Sequence, residues 1–277
     1  MRNIMKHSAV RGCLGVLRAF AVFSLLSACA APTTSAPQAP RVLIVFAASS
    51  LLDAFNDIKS GFESTHPGVT VLLNFDGSHS LRAQFEQGAA ADVFAPANQK
   101  EMDAVIAASL AGSGAAHVFA ANQLVVITPA NGGQPANVQS LADLARPGVA
   151  LVLAAEGVPV GDYARAALAK LASQFGTGYV DAVLANVVSS EDNVKQIVAK
   201  VQLGEADAGI VYKTDAAATP DLVSITIPAE YNVTARYPIA ALANAPQPEL
   251  AADFVTYVLS ADGQAVLKKW GFGPAAP

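Results

Sequence analysis

Two serines stand where a strand hands over to a helix. In Val42-Leu43-Ile44-Val45-Phe46-Ala47-Ala48-Ser49-Ser50, five large apolar residues read as a strand buried on both faces, and small residues then let the backbone turn. Ser50 is expected as the N-cap of a helix whose apolar positions are Leu51, Leu52, Phe55, Ile58 and Phe62. The pattern returns at 69–75 (VTVLLNF), followed by an Asp76-Gly77 turn and by Ser78 opening a helix through Leu81 and Phe85. A hydroxyl beside unpaired helix N–H groups is an anion site, because the donors point outward and the helix dipole favours negative charge. If both strands run parallel in one sheet, both hydroxyls lie on its carboxyl edge, where open α/β sheets bind ligands.

Further neutral donors gather at helix starts. Val158-Pro159-Val160-Gly161 places a turn before a helix, which frees the N–H of Val160, and Glu191-Asp192-Asn193-Val194 does the same for Val194. Gly209-Ile210-Val211-Tyr212 ends a strand in a phenol, another neutral donor. Enzyme signatures are missing: the chain has no phosphate loop, no Gly-x-Gly-x-x-Gly, no Gly-x-Ser-x-Gly and no His-Glu-x-x-His. His66, His79 and His117 are isolated from one another and from ligand-spaced carboxylates, which argues against a metal cluster. A secreted hydrolase would need Ser50 or Ser78 paired with His79, whose ring is expected on a different, solvent-facing side of the helix.

The elements that position these groups alternate strand and helix, which implies α/β lobes with largely parallel sheets covered on both faces. Strands are expected at 42–46, 69–75, 91–96, 123–129, 149–153, 184–188, 208–212 and 237–242. Helices are expected after Ser50, Ser78 and Asn98, over 140–144 and 162–171, from Asn193, and over 250–259 and 264–269. With 277 residues, 53% hydrophobic and 14% charged, the chain can bury two such lobes.

All four basic residues of the first 28 (Arg2, Lys6, Arg11, Arg18) precede or flank the apolar run 19–26, which is too short for a stable membrane span and reads as an export signal. Leu26-Ser27-Ala28-Cys29 resembles a bacterial lipobox, so residues 1–28 are expected to be a lipoprotein signal peptide and Cys29 the lipidation site. The only other cysteine, Cys13, lies within the signal, so the exported chain has no disulfide to form. Residues 29–40, rich in Pro, Ala and Thr, read as a flexible tether. The expected location is extracytoplasmic, held to the cell membrane only by the lipid. Beyond residue 40 the chain carries 13 basic against 22 acidic residues, a net of −9, which disfavours nucleic acid as a partner.

Taken in order, FAASS, FDGSHSL, AADVFAPANQKEMD, GVPVGDYAR, SEDNV, GEADAGIVYKTDA and RYPIA resemble the periplasmic molybdate-binding proteins, the solute-binding subunits of molybdate ABC importers, over residues 41–275. The resemblance implies a type II periplasmic-binding-protein fold: an α/β molecule of two lobes with mixed, mostly parallel sheets and a ligand cleft between them. The lobes are expected at 41–127 with 236–277, and at 128–235. It implies a monomer that is no enzyme, carries no cofactor and hands molybdate, and tungstate with it, to a membrane permease. The ligands it implies are the hydroxyls of Ser50 and Ser78, the backbone N–H groups of Val160 and Val194, and the phenol of Tyr212, which hold molybdenum through oxyanion oxygens and not directly. Two departures stand out: Val160 is bulkier than the alanine often found there, and Asp76 stands where small neutral residues are common. A carboxylate facing a dianion would be costly once desolvated, so Asp76 is expected to turn away and cap the Gly77 bend. Another tetrahedral oxyanion, tungstate first and sulfate next, is the alternative ligand.

Overall fold

The computed structural model describes residues 41–112, 114–130 and 138–275. The expected signal, the tether and Cys29 lie outside them. The described residues form two five-stranded sheets. The first is built from β1 (Arg41–Ala48), β2 (Val69–Asp76), β3 (Val93–Ala95), β4 (His117–Asn122) and β10 (Ala235–Ala241), in the order β2-β1-β3-β10-β4. The second contains β5 (Leu124–Pro129), β6 (Leu151–Ala154), β7 (Val187–Glu191), β8 (Ala208–Tyr212) and β9 (Leu222–Thr226), in the order β7-β6-β8-β5-β9. β1 pairs in parallel with β2 and β3, and β6 with β7 and β8, while β10 and β5 run antiparallel to both of their neighbours. The mixed, mostly parallel architecture is therefore present, with one reversed strand in each sheet.

Those reversed strands follow the two crossings between lobes. The chain leaves the first sheet at the end of β4 and enters the second at Leu124, with only Gln123 between. Residues 124–127 thus belong to the second lobe and not, as expected, to the first. Asn122 Nδ2 donates to Thr214 Oγ1 (2.9 Å), and Leu124 N–H donates to Asn232 Oδ1 (3.1 Å), so side chains tie the crossing down. The return falls at the start of β10, one residue from the expected boundary.

β1 shows why the first lobe is layered. Leu43, Val45 and Ala47 point into one core with Phe55 and Phe62 of α1 (Leu52–Thr65) and Phe254 of α8 (Pro248–Leu259). Phe46 points the other way, toward Leu81 and Phe85 of α2 (Ser78–Glu86) and Met102 of α3 (Gln99–Ala107). Alternation sends successive side chains to opposite faces, so a run that is apolar throughout requires cover on both. Phe62 and Phe254 meet edge to face at 5.2 Å, and Phe85 and Phe94 at 4.9 Å. In the second lobe, α4 (Pro159–Phe175) and α6 (Val194–Gln202) bury Leu168, Leu171, Ile197 and Val201 against β6 and β8.

Four elements went unforeseen: β4, β9, α5 (Tyr179–Ala185) and the short helix at Lys213–Ala217. The strand expected at 184–188 begins instead at Val187, because Leu184 belongs to α5. Chain order continues with α7 (Lys213–Ala217) after β8 and ends with α9 (Ala261–Lys269). Among the described residues no helix is long and apolar enough to cross a membrane.

Candidate functional site

Five segments bring donors to one small cavity between the sheets, and each follows the carboxyl end of a strand: β1, β2, β6, β7 and β8. Ser50, Ser78, Val160, Val194 and Tyr212 all line it, and each is 5% exposed or less. The cavity is small, with room for one compact group and not for a sugar or a peptide.

Neither serine caps its helix. The backbone after β1 makes a short 3-10 turn (Ser49–Leu51) whose N-cap is Ala48, so Ser50 lies inside the first turn and not at the cap as expected. Gly77 caps α2, and Ser78 is its first residue. No side-chain cap bond forms at either end, so both hydroxyls are available for other work. Ser78 Oγ accepts from the N–H of Ala97 at 3.0 Å. Ser50 Oγ lies 3.0 Å from the phenol oxygen of Tyr237, a wholly buried residue of β10.

The two backbone donors arise from helix termini. In α4 the first residue is Pro159, which has no N–H, and the helical ladder begins with Asp162 N–H donating to Val158 O at 3.0 Å. Val160 therefore offers the first N–H, one that the helix itself cannot satisfy. In α6 the Asn193 side chain accepts from Gln196 N–H at 3.2 Å, and Gln196 Oε1 accepts from Asp192 N–H at 3.0 Å. This reciprocal cap leaves the N–H of Val194, the first helical residue, open. Tyr212 completes the ring: its phenol oxygen is buried and has no hydrogen-bond partner among the described residues. Burial, with Tyr237, Tyr163 and Asp215 close by, raises that phenol well above its ordinary pKa, so it remains a donor throughout the physiological range.

Among the described residues no lysine, arginine or histidine lines the cavity, and Asp76 is the one charged residue that does. The Oδ1 of Asp76 accepts from Gly77 N–H at 2.7 Å and, across the lobes, from Asn193 Nδ2 at 3.1 Å. Gly77 is required at this point, since a Cβ there would strike the Asp192 carbonyl oxygen of the opposite lobe. Outside the cavity Lys195 of α6 joins Asp53 of α1 (3.0 Å) to the buried Asp215 of α7 (3.1 Å), and Lys100 pairs with Asp162 at 3.2 Å.

The hydrolase arrangement does not form. The Ser50 and Ser78 hydroxyls are engaged by Tyr237 and Ala97, while His79 Nε2 lies 3.1 Å from Ser80 Oγ. Nor does the His79 ring face solvent as expected: it is half-buried against Gly77, and its Nδ1 is shut away without a partner. Sequence reasoning missed Ala97 and Tyr237 as supports of the serines, and the cross-lobe pairs Asp76–Asn193 and Asp53–Lys195. Ala97, inside AADVFAPANQKEMD, and Tyr237, inside RYPIA, had each left a local trace.

Comparison with known proteins bears on what such a cavity serves. Residues 43–273 match the family model described as bacterial extracellular solute-binding protein. The molybdate-binding protein ModA of Mycobacterium tuberculosis is 37% identical over 263 residues, covering 93% of this chain and 96% of the relative. The putative ABC transporter substrate-binding lipoprotein YvgL of Bacillus subtilis is 28% identical over 92% of this chain and 96% of its own length. In fold, the solved periplasmic molybdate-binding protein of Azotobacter vinelandii matches with a TM-score of 0.72 at 22% identity, covering 85% of this chain and 99% of that one. By family match and by identity along nearly its whole length, the chain belongs to the bacterial extracellular solute-binding proteins, as a relative of the ModA proteins, and not to an enzyme family.

Proposed function

We propose that the protein captures molybdate, with tungstate as a second ligand, outside the cytoplasm and hands it to the membrane permease of an ABC importer. The observation that carries this reading is the convergence of two serine hydroxyls, two free helix N–H groups and one unpartnered phenol on a single buried cavity without a cation. Donors alone suit a fully deprotonated tetrahedral anion. Each charge-assisted hydrogen bond contributes roughly 1.5–3 kcal/mol, and each helix terminus about 0.3–1 kcal/mol. A handful of such terms reaches the ~8–12 kcal/mol of micromolar to nanomolar binding after ordering costs. A hydrogen phosphate would bring a proton whose acceptor would have to be a serine lone pair or the Asp76 carboxylate, which Gly77 and Asn193 already engage through Oδ1. The 37% identity to a protein named for molybdate binding supports the choice of anion, and the lipoprotein name of YvgL supports a lipid anchor here.

Isothermal titration with molybdate, tungstate, sulfate and phosphate tests the ligand. Tight binding of the first two over the last two is expected, and sulfate binding as tight as molybdate would transfer the assignment to sulfate. The anchor is tested at Cys29: mass spectrometry of the membrane fraction should find an acylated N-terminal cysteine, and Cys29→Ala should release the protein. A mature form that starts elsewhere and is soluble refutes the anchor.

A further inference from the structure

A serine hydroxyl carries one proton and two lone pairs, and left alone it turns to donate or accept as its partner demands. In this cavity that freedom is restricted from behind. Ala97 N–H can only donate, so the bond it makes to Ser78 Oγ leaves the Ser78 proton for the cavity. Tyr237 plays the same part for Ser50 from 187 positions away in sequence.

The surroundings of Tyr237 decide the direction of that bond. Its ring is packed edge to face against Phe272 (5.5 Å), Tyr212 (5.8 Å) and Phe119 (6.3 Å), and none of its surface reaches solvent. Burial holds the phenol protonated far above its ordinary range, so its single proton must be placed on an acceptor. Nearby Asn122 meets the same phenol as a donor: its Nδ2 also donates to Thr214, and its Oδ1 accepts from Gln123 N–H at 2.9 Å. The Tyr212 phenol, which meets the Tyr237 ring, is itself buried and protonated and so competes as a donor there. Ser50 Oγ, at 3.0 Å, is the acceptor within reach.

We propose that Tyr237 is a positioning residue that sets anion specificity: its phenol donates to Ser50 Oγ, as Ala97 N–H does to Ser78 Oγ, and so makes both hydroxyls obligate donors that exclude oxyanions carrying a proton. For Ser50 to present a lone pair to a hydrogen phosphate or hydrogen arsenate, its own proton must turn out of the cavity, and the neighbouring oxygen on that side is the one of Tyr237. The Tyr237 proton would then be stranded in an apolar enclosure, which is the kind of unpaired burial that makes discrimination steep. This inference rests on the oxyanion reading above and adds to it the residue that enforces the anion's protonation state.

Tyr237→Phe removes one oxygen from a packed ring and frees Ser50 to rotate. The test is competition calorimetry with sodium molybdate and inorganic phosphate near neutral pH, with a melting curve to verify folding. Molybdate binding is expected to weaken about twofold to tenfold, and the preference for molybdate over phosphate to fall by more than that, because phosphate gains an acceptor. A purely structural role would weaken both anions alike and leave the ratio at its wild-type value, and that result overturns the proposal. If Tyr237→Phe does not fold, 3-fluorotyrosine at position 237 keeps the packing and is a stronger donor. The wild-type ratio should then be kept or increased, and a fall in the ratio overturns the proposal. Wild-type protein that fails to bind molybdate would refute the oxyanion reading itself, an outcome distinct from either of these.

Discussion

Replacing Tyr212 by Phe should push stability and affinity in opposite directions. The Tyr212 oxygen lies in the wall of the cavity, is 1% exposed as a residue and has no partner among the described residues. A buried hydroxyl left unpaired costs about 1–3 kcal/mol, a burden that the closed, ligand-free molecule carries and that Tyr212→Phe removes. The same hydroxyl, donating to a bound dianion, contributes roughly 1.5–3 kcal/mol, which the variant forfeits. At about 1.4 kcal/mol per decade, molybdate affinity should fall about tenfold to a hundredfold. The melting temperature without ligand should hold or rise, at about 2–4 °C per kcal/mol for a protein of this size. Under saturating molybdate the stabilisation gained from binding should shrink by the same 1.5–3 kcal/mol, roughly, since that gain follows the logarithm of affinity. Calorimetric titration gives the first quantity and scanning calorimetry the other two. A variant that melts lower and binds molybdate as before would show that the phenol is a structural group, and would remove Tyr212 from the site.

Ser50→Ala and Ser78→Ala should each weaken molybdate binding about tenfold to a hundredfold, read by the same titration, and unchanged affinity in both would move the site elsewhere. Ser78→Ala also strands the Ala97 N–H, so its ligand-free form should melt lower than the wild type. Asp53→Asn breaks the lobe-bridging pair with Lys195 and keeps Lys195 on Asp215. Because both Asp53 and Lys195 are about one-third exposed, the loss is modest, and stopped-flow chase should find molybdate leaving about twofold to fivefold faster; an unchanged off-rate refutes the bridge. Burial pushes the Asp215 carboxyl up to about 6 against the pull of Lys195, from an ordinary value of 3.8. Its folded value exceeds its unfolded one, so the buried charge weakens the fold above about pH 6, and that penalty fades as pH falls toward 4. Asp215→Asn should therefore compare more favourably with wild type at about pH 7.5 than at about pH 4.5 in urea denaturation, and a constant difference would contradict the assignment.

What was legible in the chain was whatever is written locally. A strand that ends in small residues before a helix marks a place where N–H groups are exposed, and Ser50, Ser78, Val160 and Val194 each sit at such a place. The detail of the junction was less legible: an N-cap and the second residue of a 3-10 turn look alike when Ala48, Ser49 and Ser50 are all small. β4, with the sequence HVFAAN, hides because its alanines carry little strand preference and it owes its place to pairing with β10, over 100 positions on. β5 reads as a buried strand in either lobe, and only its pairing with β8 and β9 assigns it to the second. The partners of the site residues were invisible for the same reason: Tyr237 reaches Ser50 across 187 positions and Lys195 reaches Asp53 across 142. No periodicity or spacing encodes such contacts, which exist only once two lobes have formed and met.

A cavity whose donors are all neutral groups has a consequence for the medium in which the protein works. Binding sites lined with arginine or lysine lose strength as salt rises, because mobile ions compete for the same charges. Here the donors are fixed hydroxyl, phenol and peptide groups shut away from the solvent, and salt has little to screen once the anion is inside. The approach is another matter. Residues 41–277 carry nine more acidic than basic side chains, so the protein repels its own ligand at a distance, and dissolved salt shortens the range of that repulsion. Rising ionic strength should therefore speed encounter, and the part of retention that it can weaken is the partly exposed bridge from Lys195 to Asp53.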